Sequence, residues 1–204
     1  MGTRRFAPAL ALILLILAAP MAAAGEAESV TALLRSCEGS SAEFVQKFLP
    51  KGFKKEKLER GKVVFGTLPA MRWAYADPEK KEFVFDGTTS WLWVPADRQV
   101  TVHELTQEER AALPFFALSD PARIAKQFSL ARSGRTTTLK ARDRKAMLLE
   151  IMVEASGDGR LSRLRYLDSQ GNATTFEFSR FAAAPTEPET FTFVPPPGAD
   201  VVRN

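Results

Sequence analysis

Cysteine and histidine are nearly missing from this 204-residue chain; each occurs once, as Cys37 and His103. One cysteine excludes an intramolecular disulfide, so packing alone must hold the fold. Cys37 also lies well beyond the N-terminal apolar run, which argues against a lipidated cysteine. With Val30, Leu33 and Leu34 it has the i, i+3, i+4, i+7 spacing of one helix face, so it reads as a small apolar residue on a first helix. A lone histidine has no partner for metal-ligand spacing or for a nucleophile–base pair, and His103 reads as a surface or structural residue. Also absent are a glycine-rich phosphate loop, a Gly-x-Ser-x-Gly elbow and any carboxylate pair distinguishable from ordinary surface charge. No catalytic residue and no metal ligand can be assigned. Asn172-Ala173-Thr174 has the form of a glycosylation acceptor but carries little weight in a bacterial-type secreted chain.

Long hydrophobic runs are lacking too, apart from one. Arg4 and Arg5 precede the apolar stretch Ala7 to Ala19, and Ala22, Ala23 and Ala24 follow, the order of a cleavable signal peptide. That stretch is shorter than the roughly 20 residues needed to span a bilayer, which disfavours the alternative reading as an anchor. Thr3-Arg4-Arg5-Phe6-Ala7 is a poor twin-arginine motif, which leaves the general secretory route. The expected division is therefore a leader over 1–24 and one exported domain over 25–204. An excess of one charge is missing as well. Loss of Arg4 and Arg5 takes 28 basic residues to 26, against 24 acidic ones. So even a balance predicts no nucleic-acid partner, which would need clustered cations on one face. The densest basic run, Lys51 to Arg60, is interrupted by Glu56 and Glu59 and reads as a solvated surface.

What is present is a succession of short alternating runs separated by turn residues, the mark of an antiparallel all-β domain. Phe44, Gln46 and Phe48 alternate, Lys57 to Phe65 follows, and Met71, Trp73 and Tyr75 share a parity before Asp77-Pro78. Phe83 and Phe85 lead into Asp86-Gly87, a favoured tight hairpin turn, with Trp91 and Trp93 beyond it and Arg98 to Glu104 after that. A meander with short connections is the simplest topology. The period then changes: Thr106 with Glu109 forms a capping box, and Asp120-Pro121 opens a second short helix through Lys126. Leu113-Pro114-Phe115-Phe116 between them reads as an apolar loop. Both helices and this connector must rest on one face of the sheet. Alternation returns over Phe128 to Arg132, Thr136 to Ala141, Met147 to Glu154, Arg160 to Tyr166 and Thr174 to Phe181. In the third of these runs Met147, Leu149, Ile151 and Val153 share one face. Phe191 and Phe193 read as a last strand before Pro195-Pro196-Pro197-Gly198.

Fifteen Phe, three Trp and two Tyr, many at alternating positions, supply either a packed sandwich core or the lining of a cavity, and composition does not separate the two. The order of motifs does. Asp86-Gly87-Thr88-Thr89-Ser90-Trp91-Leu92-Trp93-Val94-Pro95 followed by Gln99-Val100 resembles a segment of the LolA family of outer-membrane lipoprotein carriers. Phe44-Val45-Gln46, Met71-Arg72-Trp73-Ala74-Tyr75 with Pro78, Asp168-Ser169-Gln170-Gly171, and the ending Phe191-Thr192-Phe193 through Asp200-Val201 resemble further family segments in the same order.

The resemblance implies a mainly β fold, an open antiparallel half-barrel whose mouth is lidded by short helices. It implies a monomeric periplasmic carrier that uses no cofactor and shelters the acyl chains of lipoproteins. An inner-membrane ABC-type release complex would load it and an outer-membrane acceptor lipoprotein would unload it. Candidate cavity or lid residues are Trp73, Phe83, Phe85, Trp91, Trp93, Phe115, Phe116, Met147, Leu149, Ile151, Phe176 and Phe178. One departure stands out: the family's Arg-Pro pair before the Arg-Trp strand aligns with Thr67 and Leu68, and Pro69 comes one place late. That arginine is associated with lid control, so its absence bears on the lid and the cargo rather than on the fold. A carrier of another amphiphile such as a glycolipid, or a lipid sensor of envelope stress, is the alternative on the same fold; the sensors normally add a second domain. An enzyme acting on lipids would need a nucleophile and base that are not found.

Overall fold

The computed structural model describes residues 19–204. Residues 1–18 of the expected leader lie outside them. The first element, α1 (Ala19–Arg35), buries Ala27, Val30 and Leu34 along one face, and Thr31 joins them by donating its hydroxyl to Leu118 O at 3.0 Å. Leu33, expected on that face, is only half-buried, because a helix turns by 3.6 residues and Thr31 and Leu34 occupy the stripe. Cys37 lies two residues past the helix end, in the turn, and is nonetheless buried. Burial pushes its thiol up from 9.0 to about 11, because the thiolate is the form that loses its hydration.

A raised acid pKa favours the fold below the unfolded value and withdraws that support as pH rises. The urea midpoint is therefore expected to fall between about pH 9 and pH 11, and a Cys37→Ala variant to lose the part of this alkaline slope that sets in near pH 9, before the desolvated phenols of Tyr75 and Tyr166 contribute. Titration with a thiol reagent gives a second readout: native Cys37 should label far more slowly than the unfolded chain. Fast native labelling would mean that the turn is not closed.

After α1 the chain runs through β1 (Ser40–Leu49), β2 (Lys57–Phe65), β3 (Met71–Asp77), β4 (Lys81–Phe85), β5 (Thr89–Val94) and β6 (Gln99–Glu104), each antiparallel to the one before. The turn between β4 and β5 works as its sequence implies: the Asp86 carboxylate accepts the Thr88 and Thr89 N–H groups, and Gly87 takes φ +108°. Three short helices follow, α2 (Gln107–Ala111), α3 (Pro114–Ala117) and α4 (Pro121–Gln127). Thr106 and Glu109 form the expected reciprocal capping box, and Asp120 accepts the Ala122 N–H at 2.9 Å. The stretch from Leu113 is not a loop: Pro114 sits at the first position of α3, where its fixed φ suits a helix and its missing N–H is not needed.

A second antiparallel meander comprises β7 (Phe128–Ser133), β8 (Thr136–Ala141), β9 (Leu148–Ala155), β10 (Leu161–Asp168) and β11 (Ala173–Ala183). The topology is thus not one meander but two, joined where β11 pairs with β1. The expected last strand at Phe191 and Phe193 is also revised. Phe191 ends a short 3₁₀ turn (Pro188–Phe191), and the strand forms only past the prolines, which lack a ladder donor, as β12 (Asp200–Arg203), parallel to β6. One 12-stranded sheet results, in the order β12-β6-β5-β4-β3-β2-β1-β11-β10-β9-β8-β7.

The sheet curves strongly about its centre. β3 and β11 are three strand spacings apart, roughly 14 Å along the sheet, yet the rings of Trp73 and Phe176 lie 4.9 Å apart. Helices α1, α3 and α4 cover this inner face, where Phe44, Phe65, Leu118, Ile124, Ile151 and Leu164 are all within 2% of full burial. The back of the sheet carries a smaller cluster of Val84, Val100 and Val102, closed by Phe193 from the C-terminal tail. Phe191 lies flat on Gly66, where a Cβ would come within 2.6 Å of its ring, so a glycine is needed for the tail to cross.

Candidate functional site

The inner face carries a continuous group of rings from three neighbouring regions. Phe44 on β1 stands edge-on to Trp73 at 4.8 Å and to Tyr75 at 5.0 Å; Phe115 on α3 reaches down to within 5.9 Å of Phe65 and 6.0 Å of Trp73. Such edge contacts add to the area the rings bury. Between the sheet and α3 they leave a hollow of about 250 Å³, floored by Trp73, Phe83, Phe85 and Phe176 and roofed by Leu113, Pro114 and Phe115. Its polar border is Gln46, Tyr75 and Tyr166, with the Tyr75 hydroxyl donating to Gln46 Oε1 at 2.9 Å. Desolvation raises both phenols above the usual tyrosine range, so neither carries charge near neutral pH. None of the lining side chains is a carboxylate, a lysine, an arginine or a histidine. The hollow can therefore take apolar matter and discourages charge, and no lining group forms a nucleophile–base pair.

Gln46 also borders a wider cleft of about 660 Å³ farther along the inner face, bounded by Phe48, Lys57 and Leu58. The hollow and this cleft adjoin at Gln46 on β1.

Of the twelve residues singled out from the sequence, the structure brings seven to the inner core: Trp73, Phe83, Phe85, Phe115, Ile151, Phe176 and Phe178. Phe85 lines the hollow with a fully buried ring. Trp91 and Trp93 are on the other side of the sheet. Trp91 opposes Val84 and Trp93 opposes Glu82, so strand pleating puts them on the back with the Val84 cluster, while Leu92 and Ser90 face forward. Met147 and Leu149 are likewise displaced. A register shift between Leu167 and Asp168 interrupts the β10–β9 ladder near Leu149, so Leu148 and not Leu149 points inward with Ile151 and Val153. An extra residue in a strand reverses every side chain before it, and Met147 emerges 58% exposed. Phe116 lies on the outer side of the short helices, where the Arg123 guanidinium covers its ring at 4.5 Å. Phe44, Met71, Tyr75 and Tyr166 were not singled out, although the shared parity of Met71, Trp73 and Tyr75 pointed to two of them.

Nothing on β3 replaces the missing arginine. Arg72 faces the back, where it bonds Glu82 at 2.5 Å and Thr190 O at 3.0 Å, while Leu68 packs on the inner core. Phe115 of α3 meets the sheet through apolar contacts, while polar ones join the helical cover to its surroundings: Thr31 to Leu118 O, and His103 Nε2, 3.0 Å from Glu109 Oε1, which ties β6 to α2.

A curved open sheet around an uncharged aromatic hollow, with short helices lying across it, defines a binder of apolar ligand. The family model for the outer membrane lipoprotein carrier protein LolA matches residues 35–194, and the chain belongs to the LolA family. The outer-membrane lipoprotein carrier protein of Dechloromonas aromatica is 30% identical over 190 residues, covering 89% of each chain. That of Nitrosomonas europaea is 31% identical over 169 residues, covering 80% of this chain and 82% of the relative. An uncharacterized conserved protein from Thermus thermophilus shares the fold, with a TM-score of 0.54 at 11% identity over 88% of this chain and 99% of that one.

Proposed function

We propose that this protein carries the acyl chains of lipoproteins across the periplasm, taking them up from an inner-membrane ABC-type release complex and passing them to an outer-membrane acceptor lipoprotein. The observation that carries this reading is the uncharged aromatic hollow beneath α3 in a chain of this family. At about 0.8 kcal/mol per methylene, one long acyl chain held in water costs on the order of 10 kcal/mol, so free transit is excluded. Contact with broad ring faces offsets that cost without requiring one cargo sequence. The hollow of about 250 Å³ falls short of the roughly 300–1,000 Å³ typical of small-ligand pockets. Admission of a whole chain therefore needs the adjoining cleft of about 660 Å³ as well, or the withdrawal of α3, whose Phe115 roofs the hollow.

The test is native mass spectrometry of the protein purified from periplasm, with lipid and peptide analysis of whatever leaves with it. Triacylated lipoprotein is the expected cargo. A glycolipid would transfer the same cavity to another amphiphile, and a reproducibly empty protein that refuses fatty-acid probes would reject the carrier reading.

A further inference from the structure

Several strand cations are paired across the sheet: Lys47 with Glu177, Arg60 with Asp77, Lys81 with Glu59, Arg163 with Glu154. Those clustered on one rim are not. The β1–β2 loop carries Lys51, Lys54 and Lys55, with Lys57 at the start of β2, and the β8–β9 loop carries Arg142, Arg144 and Lys145; all seven are exposed and none makes an ion pair among the described residues.

The sheet brings these two loops to the same end of the half-barrel. β1 ends at Leu49 opposite Ala173, Ala173 is opposite Leu167, and Asp168 is opposite Leu148. The Lys51 N–H donates to Asn172 Oδ1 at 3.0 Å, and the Ser169 N–H donates to Met147 O at 2.9 Å, so the β10–β11 turn bridges the two loops directly. Against the seven cations the three connections set only Glu56, Asp143 and Asp168. Among the described residues, three of the six exposed large hydrophobic side chains lie on the same rim: Phe53 at 68%, Leu58 at 42% and Met147 at 58%. Each stands close in sequence to lysine: Phe53 before Lys54, Leu58 after Lys57, Met147 two places past Lys145.

We propose that this rim docks on the surface of an anionic lipid bilayer, with Phe53 and Met147 seated at headgroup depth and the lysines among the lipid phosphates. An acidic protein partner would meet the charge but not the pattern. Protein interfaces gather their apolar side chains into a core from which charge is depleted, and they are poor in lysine. Here five of the seven cations are lysines, and the apolar side chains are dispersed between them. Single aromatic or long apolar side chains among lysines are instead the composition of interfacial anchors. The cleft lined by Phe48, Lys55, Lys57 and Leu58 lies at this rim and shares Gln46 with the aromatic hollow. Docking by the rim therefore puts this cleft against lipid. This goes beyond the carrier reading, since loading by a protein complex requires no contact with the bilayer, and it does not depend on what the cargo is.

The test is flotation of the protein, exported and purified from periplasm, with vesicles of phosphatidylcholine alone and of phosphatidylcholine with phosphatidylglycerol in a seven-to-three mixture. Every variant keeps the same N-terminus, so the leader segment drops out of the comparison. Binding is expected to favour the anionic vesicles at least about tenfold at low salt and to weaken as salt screens the charges. Each cation is worth about fivefold in partitioning, so Lys54→Glu with Lys55→Glu should lower binding by about 25-fold or more. Phe53→Ala should lower it about tenfold through the lost apolar contact. All three sites are exposed loop positions, and an unchanged urea midpoint certifies that each variant is folded. Equal recovery with both vesicles, or binding that ignores the lysine reversals, overturns the proposal. Retention on immobilised poly-glutamate without vesicle binding also overturns it, and assigns the rim to an acidic protein.

Discussion

Phe83→Glu is expected to lower affinity for a fluorescent fatty-acid probe by at least about 100-fold, whereas Trp93→Ala leaves it within about twofold. The two residues are close neighbours in the β4–β5 hairpin, with Phe83 opposite Leu92 and Trp93 opposite Glu82, but they lie on opposite faces of the sheet. Phe83 floors the hollow. A carboxylate there would be stripped of water by each bound chain, and an unpaired polar group so buried costs several kcal/mol; about 2.7 kcal/mol already amounts to 100-fold. Phe83 is only half-buried in the unliganded fold, so glutamate can stay hydrated until a ligand arrives and the variant should remain folded. Trp93 packs on the back with Val84 and the tail, away from the hollow. Probe titration of both variants decides the matter. Loss of binding in Trp93→Ala with full binding in Phe83→Glu would move the ligand to the other face of the sheet.

Phe44→Ala is expected to cost about 3–5 kcal/mol of stability, the range for removing a buried aromatic ring. Stability as a whole is about 5–15 kcal/mol, so this one ring decides whether the fold survives moderate urea. Phe44 is 2% exposed and stands edge-on to Trp73 and Tyr75, and its ring is 6.3 Å from that of Phe176. It thus joins β1 to both flanks of the hollow. Urea unfolding should show a lower midpoint at an unchanged slope, because the surface exposed on unfolding hardly changes. A loss below about 1 kcal/mol would mean that Trp73 and Phe176 collapse into the space. In that case the same variant should also show a smaller hollow, read as weaker probe binding.

The local devices of this fold were legible one by one. Thr106 with Glu109, and Asp120 with Pro121, carry their helix starts within four residues, and the structure forms both caps. Asp86-Gly87 is self-sufficient in the same way, since the carboxylate that closes the turn belongs to the turn. The aromatic site was legible only in part. Alternation shows which residues share a face, so it groups Trp73 with Tyr75 and Phe176 with Phe178, but Trp91 and Trp93 follow the same rule and belong to the back. Their large rings gave no sign of it, because the C-terminal tail covers them with Phe193, and a tail crossing the sheet leaves no periodic trace. At Leu149 even the shared-face rule failed. The bulge there depends on how β9 meets β10, and one extra residue sent Met147 outward.

The amino-acid sequence by itself determined that the chain is β-rich, where the strands before Phe191 and the caps of α2 and α4 fall, and which residues alternate together. All of these depend on bonds and side chains within a few residues of each other. Tertiary structure alone decided which face is concave, because concavity arises where α1 and α3 pack and where β11 closes on β1. It also decided the meaning of the lysines from Lys51 to Lys57. In the sequence they read as a solvated run broken by Glu56; in the fold, the order β1-β11-β10-β9 sets them beside Arg142, Arg144 and Lys145. Charge acts through distance in space, and strand pairing, not chain order, sets that distance.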